Sequence, residues 1–404
     1  MSVEIRAVTA DEIPDLTRLN AYAFANNDDD PADEQTLQPE WTLCAFVDGQ
    51  LAASHATYPF RMRFNGVAAN AAGVTAVATY PEFRRRGLLR QIMDRTFPEQ
   101  REQGQSIAIL WASFGAIYQR FGYGLASTET RYELDPRYAA FEDGEPAPGT
   151  VSLTPLDEAR PIMERIYIEH SRPRNLMLHR APQLWDARLR ERDKLKNYYA
   201  IYRNDAGEPR GYVQYTTKWR NDGGGTKPGP NQELRISGLI ALDLEAYRGL
   251  WESLRKHDLV SRIIWQGAPE DDPMPSLLLE PRELRRKTLD GIWLRVVDVE
   301  AALPQRLYGD RGEITLAISG DDLCEWNNGS YLLETDGERS EVTRTDRDAD
   351  LTMPPRTLAS LISGHDSATQ LARAGLLEAR DEQALRTADR LFATSYRPHC
   401  PDGF

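Results

Sequence analysis

Cysteine is scarce in this chain of 404 residues. The three cysteines, Cys44, Cys324 and Cys400, lie far apart, and their odd number leaves no complete set of pairs. Neither a disulfide framework nor the short Cys/His spacing of a zinc site emerges from this pattern. We therefore expect no bound metal and a reducing compartment.

Long apolar runs are also missing. No stretch approaches the roughly 20 residues that a transmembrane helix needs. The N-terminal sequence MSVEIRAVTADEIPDL has no apolar core of the kind that signal peptides carry. We expect a cytoplasmic protein without a membrane partner.

Positive charge is in deficit, because 49 Lys and Arg face 62 Asp and Glu, which gives a formal net charge of -13. Nucleic-acid-binding proteins usually present a basic face, so that class is disfavoured. An acidic protein attracts cationic small molecules, although net charge says little about any single pocket.

Catalytic histidine pairs and a phosphate-loop motif are absent as well. The six histidines form no pair at catalytic spacing, and no Gly-Lys-Ser/Thr sequence follows a glycine loop. The glycine cluster Gly223–Gly225 is interpreted as part of a solvated hairpin loop, since no helix follows it. A phosphate- or nucleotide-binding regulator that uses Arg84–Gly87 is therefore a weak hypothesis.

The most informative segment of the chain is Gly73–Gly124. A run of small and β-branched residues predicts a strand that is broken at Pro81, and the basic turn Arg84–Gly87 precedes a helix with apolar residues at helical spacing. This order directs free backbone N–H groups and a positive helix end toward one point, which suits a pyrophosphate. Taken alone, the arginine run also fits a solvated basic turn.

The continuation of this segment favours the pyrophosphate interpretation. A second buried strand is predicted at Ser106–Ala112, and a short helix at Phe114–Phe121 carries Tyr118 just ahead of Gly122. The segment resembles the GNAT superfamily of N-acetyltransferases, whose signature is Arg/Gln-x-x-Gly-x-Gly/Ala followed by a tyrosine near a phenylalanine-glycine pair. Arg84-x-x-Gly87-x-Leu89 matches every position except the last small residue.

The whole chain resembles the Eis (enhanced intracellular survival) family of that superfamily. The resemblance depends on RRRGLLR at 84–90, IYQRFGYG at 117–124, GIWLR at 291–295 followed by 299–303, and a final phenylalanine. It implies an α+β fold with mixed sheets, in which two GNAT-like domains in tandem precede a C-terminal sterol-carrier-protein-like domain. The implied boundaries are 1–143, 150–290 and 291–404.

Local patterns agree with that organisation. A Pro/Gly-rich break at Gly144–Gly149 marks the first boundary. The strand Thr128–Leu134 is predicted to complete the first sheet. No Arg-x-x-Gly turn follows Ala241, so the second GNAT-like domain is expected to lack a cofactor site. From about Leu294 the pattern changes to that of the third domain.

The resemblance implies an acetyl-CoA-dependent N-acetyltransferase that acts on primary amines of cationic acceptors such as aminoglycosides, polyamines or lysine side chains. The alternative is a non-catalytic acyl-CoA-binding or lipid-binding protein that kept the fold. By resemblance the assembly is a homo-hexamer, and the cofactor is acetyl-CoA without a metal.

The residues expected to bind acetyl-CoA come from the strand, the turn and the next strand end. Backbone groups of the first strand bind pantetheine, the turn and the start of its helix bind pyrophosphate, and two residues after the second strand complete the site. These residues are Val77, Ala78, Thr79, Arg85, Arg86, Gly87, Leu88, Leu89, Arg90, Ser113 and Phe114.

Two residues are implied as the proton carriers. Tyr118 is the expected proton donor to the departing thiolate, and Tyr123 is its nearby rival. The α-carboxylate of Phe404, the terminal residue, is implied as the proton acceptor. Its ordinary pKa lies far below that of an amine, so it orients the amine or relays its proton through water. Asp402 is a second acid close to it in sequence.

The acceptor pocket is the part that the sequence describes least well. By resemblance it is lined by Phe24, Asp28 and Trp41, and the acidic run Asp28–Asp30 would attract a cationic substrate. A solvated acidic loop is the favoured interpretation of the same run.

Overall fold

The computed structural model describes residues 2–25, 37–142, 144, 146–191, 195–220 and 229–404. The chain divides into two compact units. The first unit combines Met1–Ala126, Ile292–Ser395 and Gly403–Phe404, and the second combines Ser127–Gly291 with Tyr396–Asp402. The predicted three-domain boundaries are not tested by this division and stay a prediction.

The strands are numbered in chain order. They are β1 (Val3–Arg6), β2 (Cys44–Val47), β3 (Gln50–Phe64), β4 (Val67–Thr79), β5 (Ile107–Trp111), β6 (Gly124–Leu125), β7 (Thr128–Leu134), β8 (Thr150–Leu153), β9 (Asn197–Arg203), β10 (Pro209–Trp219), β11 (Gln232–Ala241), β12 (Val260–Ala268), β13 (Arg285–Asp290), β14 (Ile292–Val296), β15 (Gly312–Ile318), β16 (Gly329–Thr335), β17 (Ser340–Arg344), β18 (Leu351–Met353) and β19 (Glu378–Ala379).

The α-helices are numbered in the same way. They are α1 (Ile13–Phe24), α2 (Leu88–Glu102), α3 (Gly115–Gln119), α4 (Leu156–Ser171), α5 (Pro182–Leu189), α6 (Leu244–Arg255), α7 (Met274–Leu277), α8 (Val299–Ala302), α9 (Pro355–Ser363), α10 (Ala368–Arg373) and α11 (Glu382–Phe392). Short 3₁₀ turns lie at Ala10–Glu12, Pro39–Trp41, Pro81–Phe83, Pro136–Tyr138, Pro281–Glu283, Leu303–Gln305 and Glu325–Asn327.

The large sheet of the first unit has the strand order β1-β2-β3-β4-β5-β14-β6, and its β4–β5 pair is parallel. The β3–β4 hairpin turns at Asn65-Gly66, where both residues have positive φ, as the sequence predicts for such a pair. Helix α1 covers one face of this sheet, with Leu16 and Leu19 packed against Ala78. Helix α2 packs Met93 and Phe97 against Ala72 on the other face.

The predicted strand Thr128–Leu134 exists, but its assignment to the first sheet is wrong. As β7 it pairs with β12 and β13 of the second sheet, and β14 lies between β5 and β6 instead. The reason is burial, because every residue of β14 is buried whereas β7 alternates polar and apolar residues. A strand between two neighbours with both faces covered needs a continuous apolar sequence, which Ile292–Val296 offers except at Arg295.

The remaining sheets match the sequence pattern more closely. The second unit has the order β13-β7-β12-β11-β10-β9-β8, with a parallel β11–β12 pair and a core that includes Trp251 and Trp265. The first unit also holds the sheet β17-β16-β15-β18-β19 with α9, α10 and α11. Within the described ranges, no helix is long and apolar enough to cross a membrane.

Candidate active site

Strands β4 and β5 of the first unit diverge and leave an open edge. In the described part of the chain they pair only through Ala71, Ala72 and Gly73, whereas β4 continues to Thr79. The residues Thr75, Ala76 and Val77 beyond the last pair are partly exposed. Backbone groups along this edge are therefore able to bind an extended ligand arm, as the strand is expected to bind pantetheine.

A β-bulge lies on this open edge. In the β3–β4 pairing Ser54 faces Ala78 and Ala56 faces Thr75, so that two residues of β4, Ala76 and Val77, oppose one residue of β3. Ala76 has a left-handed backbone with φ of 52°. The hydroxyl of the fully buried Ser54 donates to the Ala76 carbonyl oxygen at 2.7 Å.

The bulge determines where the next backbone donor points. The N–H of a trans peptide points opposite to its C=O, and none of the peptide bonds among the described residues is cis. Because the Ala76 carbonyl faces Ser54 on β3, the Val77 N–H faces the other way, toward the open edge. Of the other two strand residues expected at the cofactor, Ala78 is buried against α1, and the Thr79 carbonyl accepts a hydrogen bond from Arg84 Nε at 3.1 Å.

The basic turn follows β4 directly. Arg84, Arg85, Arg86 and Gly87 are all exposed, and Arg85 (φ 62°) and Gly87 (φ 73°) are left-handed. Turns of this kind make successive backbone N–H groups converge on an anion-sized concavity. A Cβ added at Gly87 would have no neighbour within 4 Å, so the approach to the turn is open on that side.

Gly87 is also the N-cap of α2, which has no side-chain cap and no acidic residue in its first turn. The N–H groups of Leu88, Leu89 and Arg90 belong to that first turn and therefore have no partner within the helix. Their side chains differ in exposure, since Leu88 is buried, Leu89 is partly buried and Arg90 is exposed. The cofactor residues predicted on the turn are therefore contiguous, with backbone donors directed outward.

Tyr118 lies on α3 and joins the core cluster that contains Ala72 and Val74 of β4 and, partly buried, Val77 and Leu89. Burial raises the pKa of its hydroxyl to about 12. The rival Tyr123 is fully buried, and its hydroxyl has no hydrogen-bond partner among the described residues. Its ring packs against Tyr118 with centroids 5.8 Å apart. Both tyrosines thus belong to one buried aromatic cluster, in which Tyr118 keeps 8% of its surface exposed and Tyr123 none.

The last residue of the chain lies at the point where β4 and β5 separate. A Cβ at Gly73 would lie 3.4 Å from Cε2 of Phe404 and only 2.3 Å from the ring of Phe60. The rings of Phe60 and Phe404 meet edge to face with centroids 5.0 Å apart. Gly73 therefore allows both rings to lie directly over the backbone of β4.

Tyr118 and Phe404 approach β4 from opposite faces. Neighbouring residues of a strand point to opposite sides, and Gly73 lies between Ala72 and Val74, which share the core cluster of Tyr118. Phe404 covers Gly73 on the other side. A thioester at this edge would have a candidate acid on one face and a carboxylate-bearing residue on the other.

Aromatic rings continue from Phe404 along β3. Phe60 stacks on Tyr58 with centroids 5.4 Å apart, and Tyr58 meets Trp41 at 5.6 Å. All four rings are partly exposed. The structure thus brings Trp41, which was predicted at the pocket, into a row with Phe404. Tyr58 and Phe60 were missed, although two aromatic residues at positions i and i+2 of a strand signal a shared face.

The remaining residues predicted at the site lie at chain segments with different exposure. Ser113 and Phe114 follow β5 and are exposed, with 71% of Phe114 accessible. Phe24 ends α1 and is also exposed. Asp28, together with the run Asp28–Asp30, lies outside the described residues.

Two alternatives for the base are disfavoured by their surroundings. Asp402, in the second unit, is buried and accepts hydrogen bonds from Arg180 Nε at 2.9 Å and from the Tyr167 hydroxyl at 3.2 Å. A carboxylate held by a buried arginine is a structural ion pair rather than an available acid. His55, which faces the bulge, is fully buried, and burial lowers its pKa to about 4.

Models of known protein families match three parts of the chain. Models of the acetyltransferase (GNAT) domain match residues 4–126 and, as a second such family, residues 176–296. A sterol carrier protein domain matches residues 299–401.

Relatives match over the full length. An uncharacterized N-acetyltransferase of Streptomyces avermitilis is 30% identical over 100% of this chain and 99% of its own. The N-acetyltransferase Eis of Mycobacterium tuberculosis is 32% identical over 98% of both chains. The crystal structure of Eis1 from Mycobacterium abscessus superposes with a TM-score of 0.85 at 29% identity and 100% coverage of both chains. A GCN5-related N-acetyltransferase from Anabaena variabilis shares the fold, with a TM-score of 0.89 at 24% identity and 100% coverage of both.

Proposed function

The chain belongs to the Eis family of GNAT N-acetyltransferases, and from this premise we propose that it transfers the acetyl group of acetyl-CoA to the primary amine of a cationic acceptor. The family and the fold class that the sequence motifs predicted are confirmed, with two GNAT domains and a sterol carrier protein domain. N-acetyltransferase relatives over the full length disfavour the non-catalytic alternative.

One observation carries the proposal. Phe404, the last residue, covers Gly73 at the point where β4 leaves β5, and Tyr118 packs beneath the same strand on its opposite face. Acetyl transfer needs a group at the amine and an acid at the departing thiol. The two groups are thus on opposite sides of one open strand edge, so neither blocks the other.

Acetyl-CoA would bind along the open edge and the turn. The backbone N–H groups of Gly87 through Arg90 would face the pyrophosphate, and the exposed side chains of Arg85, Arg86 and Arg90 would add charge-assisted hydrogen bonds. The Arg84 side chain is directed back to Thr79, which supports it as a brace of the turn. Ser113 and Phe114 would extend the pantetheine contacts.

The chemistry requires charge stabilisation at two atoms. Attack of the amine nitrogen on the thioester carbon places negative charge on the carbonyl oxygen, and the Val77 N–H would donate a hydrogen bond to that oxygen. When the carbon–sulfur bond breaks, Tyr118 gives its proton to the thiolate. A pKa of about 12 keeps this hydroxyl protonated until that step. Because the ordinary pKa of a thiol is several units lower, proton transfer from Tyr118 to the thiolate is unfavourable unless the site stabilises the products.

The proton released by the amine goes toward the α-carboxylate of Phe404. A carboxylate is a weak base for an ammonium ion, so its role is to orient the amine and to receive the proton directly or through water. The row of rings at Trp41, Tyr58, Phe60 and Phe404 supports a cationic acceptor, because aromatic faces attract cations. The net charge of -13 favours the same class of substrate.

A C-terminal extension tests the proposal directly. Adding a few residues turns the terminal carboxylate into an amide and places bulk at the opening beside Gly73. We expect the extension, or deletion of Phe404, to lower amine acetylation by at least about a hundredfold while the Kd of acetyl-CoA stays near that of the wild type. Thiol release with a panel of polyamines, aminoglycosides and lysine peptides measures the rate and identifies the acceptor class.

The matched control is the same extension placed at the N-terminus, which should leave the rate unchanged. Full activity of the C-terminally extended protein would remove Phe404 from the mechanism. The hexameric assembly implied by the resemblance and the cytoplasmic location expected from the sequence remain predictions, and sedimentation analysis tests the first of them.

A further inference from the structure

The side chain of Ser54 binds the carbonyl oxygen of the bulge residue Ala76. This side chain is fully buried on β3, and Oγ lies 2.7 Å from the Ala76 oxygen and 3.1 Å from Oδ1 of Asn20 on α1. A hydroxyl has one proton, and the shorter contact to Ala76 is the better hydrogen bond. Ser54 thus connects the bulge to the interior of the first unit.

The bulge needs such a contact because its backbone is under strain. A left-handed alanine costs roughly 1–2 kcal/mol relative to an ordinary conformation, so the local sequence does not stabilise it by itself. Relaxation of the Ala76 φ to a negative value would reorient the following Ala76–Val77 peptide and would turn the Val77 N–H away from the open edge. The hydrogen bond from Ser54 opposes that reorientation by holding the carbonyl end of the same peptide.

We propose that Ser54 is a positioning residue, which fixes the Ala76–Val77 peptide so that the Val77 N–H binds the thioester oxygen of acetyl-CoA. This inference rests on the proposed function, in which that N–H stabilises the developing negative charge. Ser54 touches neither substrate, and it acts through the orientation of one backbone donor.

In the second unit a side chain also donates a hydrogen bond to the carbonyl of a strand bulge. Strand β11 has a bulge at Ser237, between the pairs Gln214–Gly238 and Tyr215–Ile236. The Ser237 carbonyl accepts a hydrogen bond from Nη2 of Arg188 at 2.6 Å. A side-chain donor therefore holds the bulge carbonyl in both units, which supports a need for the contact wherever this bulge forms.

Two unreactive analogues of acetyl-CoA separate orientation of the peptide from general stability. One is the ketone in which a methylene replaces sulfur, and the other is S-ethyl-CoA, which has no carbonyl. An N–H that bonds the carbonyl should make the wild type bind the ketone up to about tenfold more tightly than S-ethyl-CoA. In Ser54→Ala we expect this preference to fall to about twofold or less, with the Kd of S-ethyl-CoA unchanged and kcat lowered by about tenfold or more.

The control is Ser363→Ala, which removes another fully buried hydroxyl that donates to a backbone carbonyl, that of Ser360 at 2.9 Å. This variant should keep the carbonyl preference and kcat. Retention of the preference in Ser54→Ala would overturn the inference, and so would a loss of S-ethyl-CoA binding, because that would indicate a general structural role. Absence of any preference in the wild type would instead overturn the proposed role of the Val77 N–H.

Discussion

The two units contain the same strand-to-helix connection, but the helix that follows it starts differently in each. In each, a bulged strand separates from a parallel neighbour and leads into a helix, β4 into α2 in the first unit and β11 into α6 in the second. Helix α2 begins at Gly87 without a side-chain cap. Helix α6 begins at Asp243, whose carboxylate accepts from the Ala246 N–H at 2.8 Å.

From this difference we expect that the fold alone does not make an acyl-CoA site. The Asp243 carboxylate places a negative charge where an incoming phosphate would lie, and Arg210 Nε pairs with that carboxylate at 2.9 Å. The open edge is also engaged in the second unit, because Arg188 donates to Ser237 and, at 2.8 Å, to the carbonyl of Pro401. In the first unit no side chain caps the start of α2, whereas in the second unit Asp243 binds the start of α6 and Arg188 binds the bulge.

Loss of the acid should have the largest effect and should separate the two units most clearly. Helix α3 after β5 carries Tyr118, whereas α7 after β12 has the sequence Met-Pro-Ser-Leu. We expect Tyr118→Phe to lower kcat by about a hundredfold, with the Kd of acetyl-CoA and the thermal midpoint near those of the wild type. Steady-state kinetics and calorimetry measure these quantities.

The control and the pH dependence sharpen this test. Tyr123→Phe removes a hydroxyl without a partner among the described residues and should leave kcat nearly unchanged. Because the pKa of Tyr118 is raised to about 12, the hydroxyl keeps its proton as the pH rises, so kcat should not fall between about pH 7 and pH 10 through loss of this acid. A larger loss in Tyr123→Phe than in Tyr118→Phe would exchange their roles.

A carboxylate at the N-cap of α2 should make the start of this helix resemble that of α6, where Asp243 is the N-cap. Gly87→Asp adds bulk and a negative charge at the N-cap of α2, and we expect it to raise the Kd of acetyl-CoA by more than tenfold. A Cβ there meets nothing within 4 Å, so the fold should persist. Gly87→Asn is the matched neutral control, since asparagine tolerates a left-handed backbone and should raise the Kd less. Unchanged calorimetric binding in Gly87→Asp would exclude the turn from the site.

Removal of the charge at the second helix start should have the smallest effect. Asp243→Ala deletes a helix cap, which we expect to lower the free energy of unfolding by about 1 kcal/mol in denaturant titrations. The Kd and the stoichiometry of one acetyl-CoA per chain should not change, because Arg188 still engages the bulge. A second bound acetyl-CoA in this variant would mean that Asp243 alone distinguishes the two connections.

Local signals in the sequence predicted most elements but not all of their partners. The Asn65-Gly66 hairpin and helix α2 both form as expected, because their signals lie within a few residues of one another. Strand β7 was recognised but assigned to the wrong sheet, since alternation indicates a strand without naming its neighbour.

The candidate site shows the same limit. The turn and Tyr118 carry a contiguous motif, and the expected closeness of Phe404 to the strand came from the family resemblance. The contacts of Phe60 with Gly73 and of Ser54 with Ala76 depend on pairing across β3 and β4, and a left-handed alanine has no sequence signal of its own. The burial of Asp402 by Arg180 required tertiary structure for the same reason.

The position of β14 has a consequence for the order of synthesis. Strand β5 pairs on one side with β14, which the ribosome makes long after Ala126 has emerged. Until Val296 is available, the apolar β5 keeps an unpaired edge of the kind that recruits other chains. At translation rates of about 5–20 residues per second, that interval lasts on the order of ten seconds or more. The first unit is therefore the first to be translated and among the last to be completed.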